Sequence, residues 1–200
     1  IYNQRGQSDY AAEIAKIRND KPEMVFYFLP GGMGINFMKQ YDQAGLKADI
    51  PLIVASPSLE QRILGAVGEA AIGVSTSSHW NTDTDNAANK KFVDEFRAKY
   101  DREPTPYASQ GYDTGKLVAS ALKATGGKVS GDMDGFRAAL KKADFDSVRG
   151  AFKFANNNHP VNDWYALKVE KDADGKLALV TTGIIAEDHY DAYHDKCPMQ

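Results

Sequence analysis

Six consecutive apolar residues, Met24 to Leu29, run into Pro30-Gly31-Gly32 without a polar residue among them. A strand with one face in water alternates apolar and polar side chains, and a strand covered on both faces does not. Residues 24–29 therefore predict a strand buried on both faces, the setting of a parallel sheet with helices above and below. The flanking sequence fits that setting. Ser8 or Asp9 caps a helix to about residue 19, with Ala12, Ile14 and Ile17 toward the core, and Pro22 ends it. A second helix is expected over residues 34–44, stopped by Gly45. Residues 51–54 and 72–75 read as two more short strands, and between them Ser58 caps a short helix through Leu64. Strand, helix, strand, helix, strand is the pattern of an α/β protein with a doubly wound parallel sheet.

After residue 80 the pattern changes. Residues 86–100 form an amphipathic segment with Phe92, Phe96 and Tyr100 at intervals of four. Pro104 and Pro106 break it, and a long helix over 107–125 closes on Gly126 and Gly127. Asp132 or Asp134 opens another helix through Leu140. Residues 164–170 and 177–185 read as strands joined by an Asp174-Gly175 turn. No internal repeat or low-complexity tract interrupts these elements.

Several kinds of chemistry are excluded by residue type and spacing. Glycines let a backbone approach phosphate closely, but a nucleotide-binding loop ends in Gly-Lys-Ser/Thr and Gly34 is followed by Ile35-Asn36. The dinucleotide fingerprint needs a third glycine where Phe37 stands. There is no Gly-x-Ser-x-Gly nucleophile elbow and no His-Glu-x-x-His zinc pair. A formal net charge of −3 leaves no basic footprint for nucleic acid. The apolar runs fall far short of the roughly 20 residues that span a bilayer. Cys197 is the lone cysteine, so no disulfide forms within the chain. The segment 187–197 gathers His189, His194, four acids and Cys197. It reads as a polar terminal helix in which Asp191, His194 and Asp195 share a face, not as a metal site. No cofactor, metal or catalytic group is expected. The chain opens at Ile1 rather than methionine, which reads as processed or cut.

What remains is a cleft. In open parallel sheets ligands bind at the carboxyl edge of the strands, which is where the Gly31–Gly34 loop lies. Its glycines serve turn geometry first. Trp80, just after the third strand, is either a packed aromatic or a cleft contact. Tyr107 opens a helix after a Pro-x-Pro turn and is a second aromatic candidate; Tyr112 reads as core.

Four stretches carry a resemblance. "SDYAAEIAKIRNDKPEMVFYFLPGGMGINFMKQYDQAGL", "EAAIGVSTSSHW", "NKKFVDEFRAKYDREPTPYASQGYDTGKLVASALKATGG" and "DSVRGAFKFANNNHPVNDWYALKV" resemble periplasmic solute-binding proteins of the leucine/isoleucine/valine type. The resemblance covers essentially the whole chain. It implies a two-lobed type I periplasmic binding protein fold, with most of the first lobe missing from this sequence. Residues 1–80 would form the second-lobe α/β segment, 81–160 a segment of the first lobe, and 161–200 the return to the second lobe and a C-terminal tail. Hinge crossings would fall near residues 80–82 and 159–161.

The same resemblance implies function. Such proteins are secreted to the periplasm, bind a small solute between their lobes and pass it to the membrane permease of an ABC transporter. They are not enzymes and do not bind nucleic acid. Carried over residue by residue, the ligand contacts fall on Pro30 and Gly31 after the first strand, Ser56 after the second, and Tyr107 from the other lobe, with Trp80 beside the crossing. Amino-acid binders often hold the ligand's ammonium group with an acid where Ser56 stands, and Glu60 is expected to face away. An unpaired ammonium in a closed cleft is costly. The implied solute is therefore a carboxylated, aromatic compound, as in the aromatic-acid-binding members. Branched-chain amino acid binding by the same fold, or a ligand-sensing domain of a membrane receptor, is the alternative. Without the strand that precedes residues 24–29 in the family, that strand's edge and the faces carrying Phe92, Phe96, Tyr112 and Leu122 are expected to be uncovered. Association with a second copy would follow.

Overall fold

A computed structural model describes residues 1–197. In chain order the elements are α1 (Ala11–Asp20), β1 (Val25–Tyr27), α2 (Gly32–Gln43), β2 (Leu52–Val54), α3 (Gln61–Val67), β3 (Ser75–Ser78), α4 (Ala87–Tyr100), α5 (Pro106–Ala124), α6 (Met133–Lys142), β4 (Lys153–Phe154), β5 (Pro160–Lys171) and β6 (Leu177–His189). They divide between two compact units. One holds residues 1–78 and 166–183, and the other holds 79–165 and the residues from 184 onward.

The first unit is the alternating α/β portion. β1 pairs in parallel with β2, Val25 opposite Leu52 and Tyr27 opposite Val54, and β2 pairs in parallel with β3. Next to β3, the Val169 amide and carbonyl on β5 bond the backbone of Val74 and Gly73. The helices bury Ile14, Ile17, Phe37, Met38, Tyr41, Leu64 and Val67. Phe37 is the hub of this core: its ring lies 5.3 Å from Tyr10, 5.0 Å from Tyr27 and 5.6 Å from Tyr41. Edge-on and tilted ring pairs of this kind add to the stabilisation from burial.

Two readings of this unit are corrected. Residues 24–29 are not buried on both faces. Met24, Phe26 and Phe28 are exposed, Phe26 at 64%, while Tyr27 and Leu29 are buried. Among the described residues β1 has only β2 beside it, so it is an edge strand with one uncovered face. The third strand lies three residues later than expected, at Ser75–Ser78. Its polar sequence hid it: alternate hydroxyls point inward, and Thr76 Oγ1 donates to the Val54 carbonyl at 2.8 Å, so the buried oxygen is satisfied.

The second unit is built on α4 and α5. Asn86 caps α4 by accepting from the Asn89 amide at 2.7 Å, and Thr105 caps α5, where Pro106 occupies the first turn. Trp80, Phe92, Val93 and Val148 are buried together, with Phe96, Ala108 and Tyr112 packed against them. Phe92 is thus covered, not exposed as expected, because Trp80 and Tyr112 close over it at 6.0 and 4.7 Å. β4 pairs antiparallel with the start of β5. β5 and β6, which run through both units, form a hairpin; its turn lies in the first unit and is held by the Asp172 carboxylate, which accepts from the amides of Asp174 and Lys176. Residues 187–197 do not form the expected polar helix: β6 runs to His189, and among the described residues a short turn at His194–Lys196 follows. The Asp191 carboxylate accepts from Asn157 and the Tyr193 amide and faces His159, while its backbone carbonyl accepts from the His194 amide.

Candidate functional site

At the carboxyl edge of the first unit's sheet, two loops are tied together. The Leu29 amide, leaving β1, donates to Ser58 Oγ at 2.9 Å, and the Ala55 amide, leaving β2, donates to the Tyr27 carbonyl at 3.1 Å. Ser58 is fully buried, so the hydroxyl expected to cap α3 instead fixes the loop after β1. The α3 cap is Glu60, whose carboxylate accepts from the Arg62 amide at 3.1 Å. Gly34 sits on the same junction. A Cβ there would collide with the Leu29 carbonyl oxygen, so only glycine lets α2 start this close to the strand end. Gly31, at φ 66°, makes the left-handed step between them.

These ties bring three of the candidates to one edge. Pro30 is exposed, and Gly31 and Ser56 are half-buried, all on the tips of the joined loops. The acid nearest to this edge in sequence offers it no free carboxylate. Glu60 is only 8% exposed and is occupied as a cap.

The second unit holds Tyr107 and Trp80, in opposite circumstances. Tyr107 is 59% exposed on the first turn of α5. Trp80 is 0% exposed, and its Nε1–H donates to Asn89 Oδ1 at 2.7 Å. Its ring is thus a core element. Asn89 in turn donates to the carbonyls of Thr82 and Thr84, so one buried amide organises the loop after Trp80.

A second polar group lies behind α5. Asp113, 1% exposed, accepts from Ser147 Oγ at 2.6 Å, from the Val148 amide at 3.0 Å and from Arg149 Nε at 3.1 Å. Arg149 also reaches Asn162 on β5 at 3.1 Å. His79 is close enough to feel this group: burial, reinforced by the Arg149 charge and opposed by Asp113, lowers its pKa to about 4. Its ring stands edge-on to Trp164 at 5.9 Å, and its Nε2 lies 3.3 Å from Gln110 Nε2. None of these contacts was read from the sequence. The one available signal was the placement of Asn89 and Asp113 among apolar positions of amphipathic helices, where a polar side chain must find partners.

Residues 1–176 match the family described as periplasmic binding protein. A Leu/Ile/Val-binding protein homolog 6 from Brucella melitensis biotype 1 is 32% identical over 175 residues, covering 84% of this chain and 44% of that protein. A solute-binding protein of an ABC transporter from R. palustris, solved in complex with benzoate, superposes with a TM-score of 0.85 at 32% identity. That match covers 96% of this chain and 51% of the other. A solute-binding protein of an ABC transporter from Rhodopseudomonas palustris BisB5, in complex with 3,4-dihydroxybenzoic acid, gives a TM-score of 0.79 at 34% identity, over 92% and 50%. The chain spans about half the length of the relatives it matches. Like those neighbours, the chain has a mixed α/β architecture with a parallel-rich sheet. By the extent of the family match and the identity across it, the chain belongs to the periplasmic binding protein family.

Proposed function

We propose that this chain is part of the extracytoplasmic solute-binding component of an ABC importer, and that its solute is a small aromatic carboxylic acid. The observation that carries the ligand class is the sheet edge at Ser56. A hydroxyl stands at the end of β2, and the nearest acid, Glu60, is buried and committed to capping α3. An α-ammonium group closed against that edge would lose its hydration without gaining a counter-charge, an unfavourable exchange. An aromatic acid brings no such group. Relatives about a third identical to the chain bind benzoate and 3,4-dihydroxybenzoic acid, which favours the same reading.

In this reading Pro30, Gly31 and Ser56 contact the solute from one lobe, and Tyr107 stacks on its ring from the other for about 1 kcal/mol beyond burial. In the same reading one lobe comprises residues 1–78 with 166–183, and the other residues 79–165 with those from 184 onward. Solute that touches both lobes only when they close shifts an open–closed equilibrium, and the closed form is what the permease engages. The role is binding, with no turnover, and the protein works in the periplasm. Calorimetric titration of the protein expressed from its complete gene tests the ligand class. Micromolar or tighter binding of benzoates, with leucine and valine silent, is expected. Tight leucine binding with no response to benzoates would overturn it.

A further inference from the structure

We propose that Gln110 reads a hydroxyl on the ring of the solute, with its amide oriented by His79. This rests on the aromatic-acid reading above and adds a specificity to it. Tyr107 and Gln110 are three residues apart on α5, which makes them neighbours on one helix face, and both are exposed. An exposed glutamine ordinarily samples many rotamers, and holding one costs entropy. This one is anchored, its Nε2 lying 3.3 Å from Nε2 of His79.

The state of His79 decides what that anchor does. The charged groups that act on it are Arg149 and Asp113, and Asp113 is already engaged by Ser147, the Val148 amide and Arg149. The imidazole is neutral near pH 7. Facing the nitrogen of a glutamine amide, a neutral imidazole makes a hydrogen bond only with Nε2 bare and its proton on Nδ1. Gln110 then spends one N–H on His79. Its second N–H and its Oε1 remain, and among the described residues no hydrogen bond engages that oxygen.

An acceptor and a donor side by side complement a group that both donates and accepts. A hydroxyl does so. A carboxylate only accepts and an ammonium only donates, so each matches half of the amide. Beside the exposed Tyr107 ring, the pair fits a phenolic acid better than an unsubstituted one.

Calorimetric titration of the protein expressed from its complete gene with benzoate, 4-hydroxybenzoate and 3,4-dihydroxybenzoate tests this. The wild type should prefer a hydroxylated acid by about tenfold, the worth of one well-made hydrogen bond. Gln110→Leu should hold benzoate within about threefold of wild type and abolish the preference. His79→Leu should abolish it as well, whereas His79→Gln, which keeps an acceptor near Nε2, should retain it. Melting curves establish that each variant is folded. A preference that survives Gln110→Leu, or a loss equal across the three acids, overturns the proposal, and one untouched by His79→Leu overturns the orienting role. Binding of all three acids without any hydroxyl preference in the wild type overturns the proposal alone. Binding of none of them overturns the aromatic-acid reading and the proposal with it.

Discussion

The two units are held by different means. The first rests on apolar burial around Phe37, with three aromatic rings against it and short parallel strands beside it. The second has an aromatic cluster of its own around Phe92, but depends as well on two buried polar residues, Asn89 and Asp113, each satisfied by several partners. Apolar packing degrades gradually as volume is removed, because neighbours relax into the space. A buried charge group fails abruptly, because removing one member strands the others.

That contrast can be broken where it is sharpest. Asp113→Ala leaves the Arg149 guanidinium, whose side chain is 11% exposed, without its counter-charge. A loss of about 3–5 kcal/mol is expected, read as a fall in the denaturant midpoint. A loss below about 1 kcal/mol would show that the second unit does not depend on this group.

Acid sharpens the same point. His79 has a folded-state pKa of about 4, below the ordinary 6.5. The unfolded chain therefore takes up its proton first as pH falls. The stabilisation from the neutral ring is complete above pH 6.5 and is lost as pH drops toward 4. It amounts to at most about 3 kcal/mol. Comparing wild type with His79→Gln across that window isolates the histidine; identical profiles would refute the assignment.

In the first unit the steepest response should be steric. Gly34→Ala drives a Cβ into the Leu29 carbonyl and must displace α2 from the strand end, at about 1–3 kcal/mol. By contrast, alanine at Gly32, where open space surrounds the position, should change the melting temperature little. The smallest effect is expected at Phe26. Replacing this exposed ring by lysine should alter monomer stability by no more than about 0.5 kcal/mol. It should reduce association of the 200-residue polypeptide through the uncovered β1 edge, measured by sedimentation. A polypeptide that sediments as a monomer with Phe26 intact would remove that expectation.

The difference between the units also explains what was legible in the sequence. Periodicity identified α4 and α5 and the order of elements in the first unit, because burial of apolar faces leaves a repeating mark. It failed at β3, where Ser75–Ser78 bury hydroxyls instead of hydrocarbon. It overstated β1, because an apolar run records what a strand is suited to touch and not which neighbours it has. Pairings such as Ser58 with Leu29, or Asp113 with Arg149 thirty-six residues on, leave no periodic trace. For the candidate site, family resemblance directed attention to Pro30, Gly31, Ser56 and Tyr107, and the structure sets the first three on one edge. Trp80, ambiguous in sequence, is accounted for by Asn89 and Phe92.

β5 and β6 pass from one unit to the other, so neither unit is continuous in sequence. On the ribosome, residues 1–78 emerge long before residues 166–183, which supply the strand next to β3. At roughly 5–20 residues per second, synthesis of the stretch between them takes on the order of ten seconds. For that time β3 lacks its neighbour. The hydroxyl-rich sequence of β3 suits such a wait: a strand of serine and threonine tolerates water along an open edge, where valine or isoleucine would invite a wrong partner.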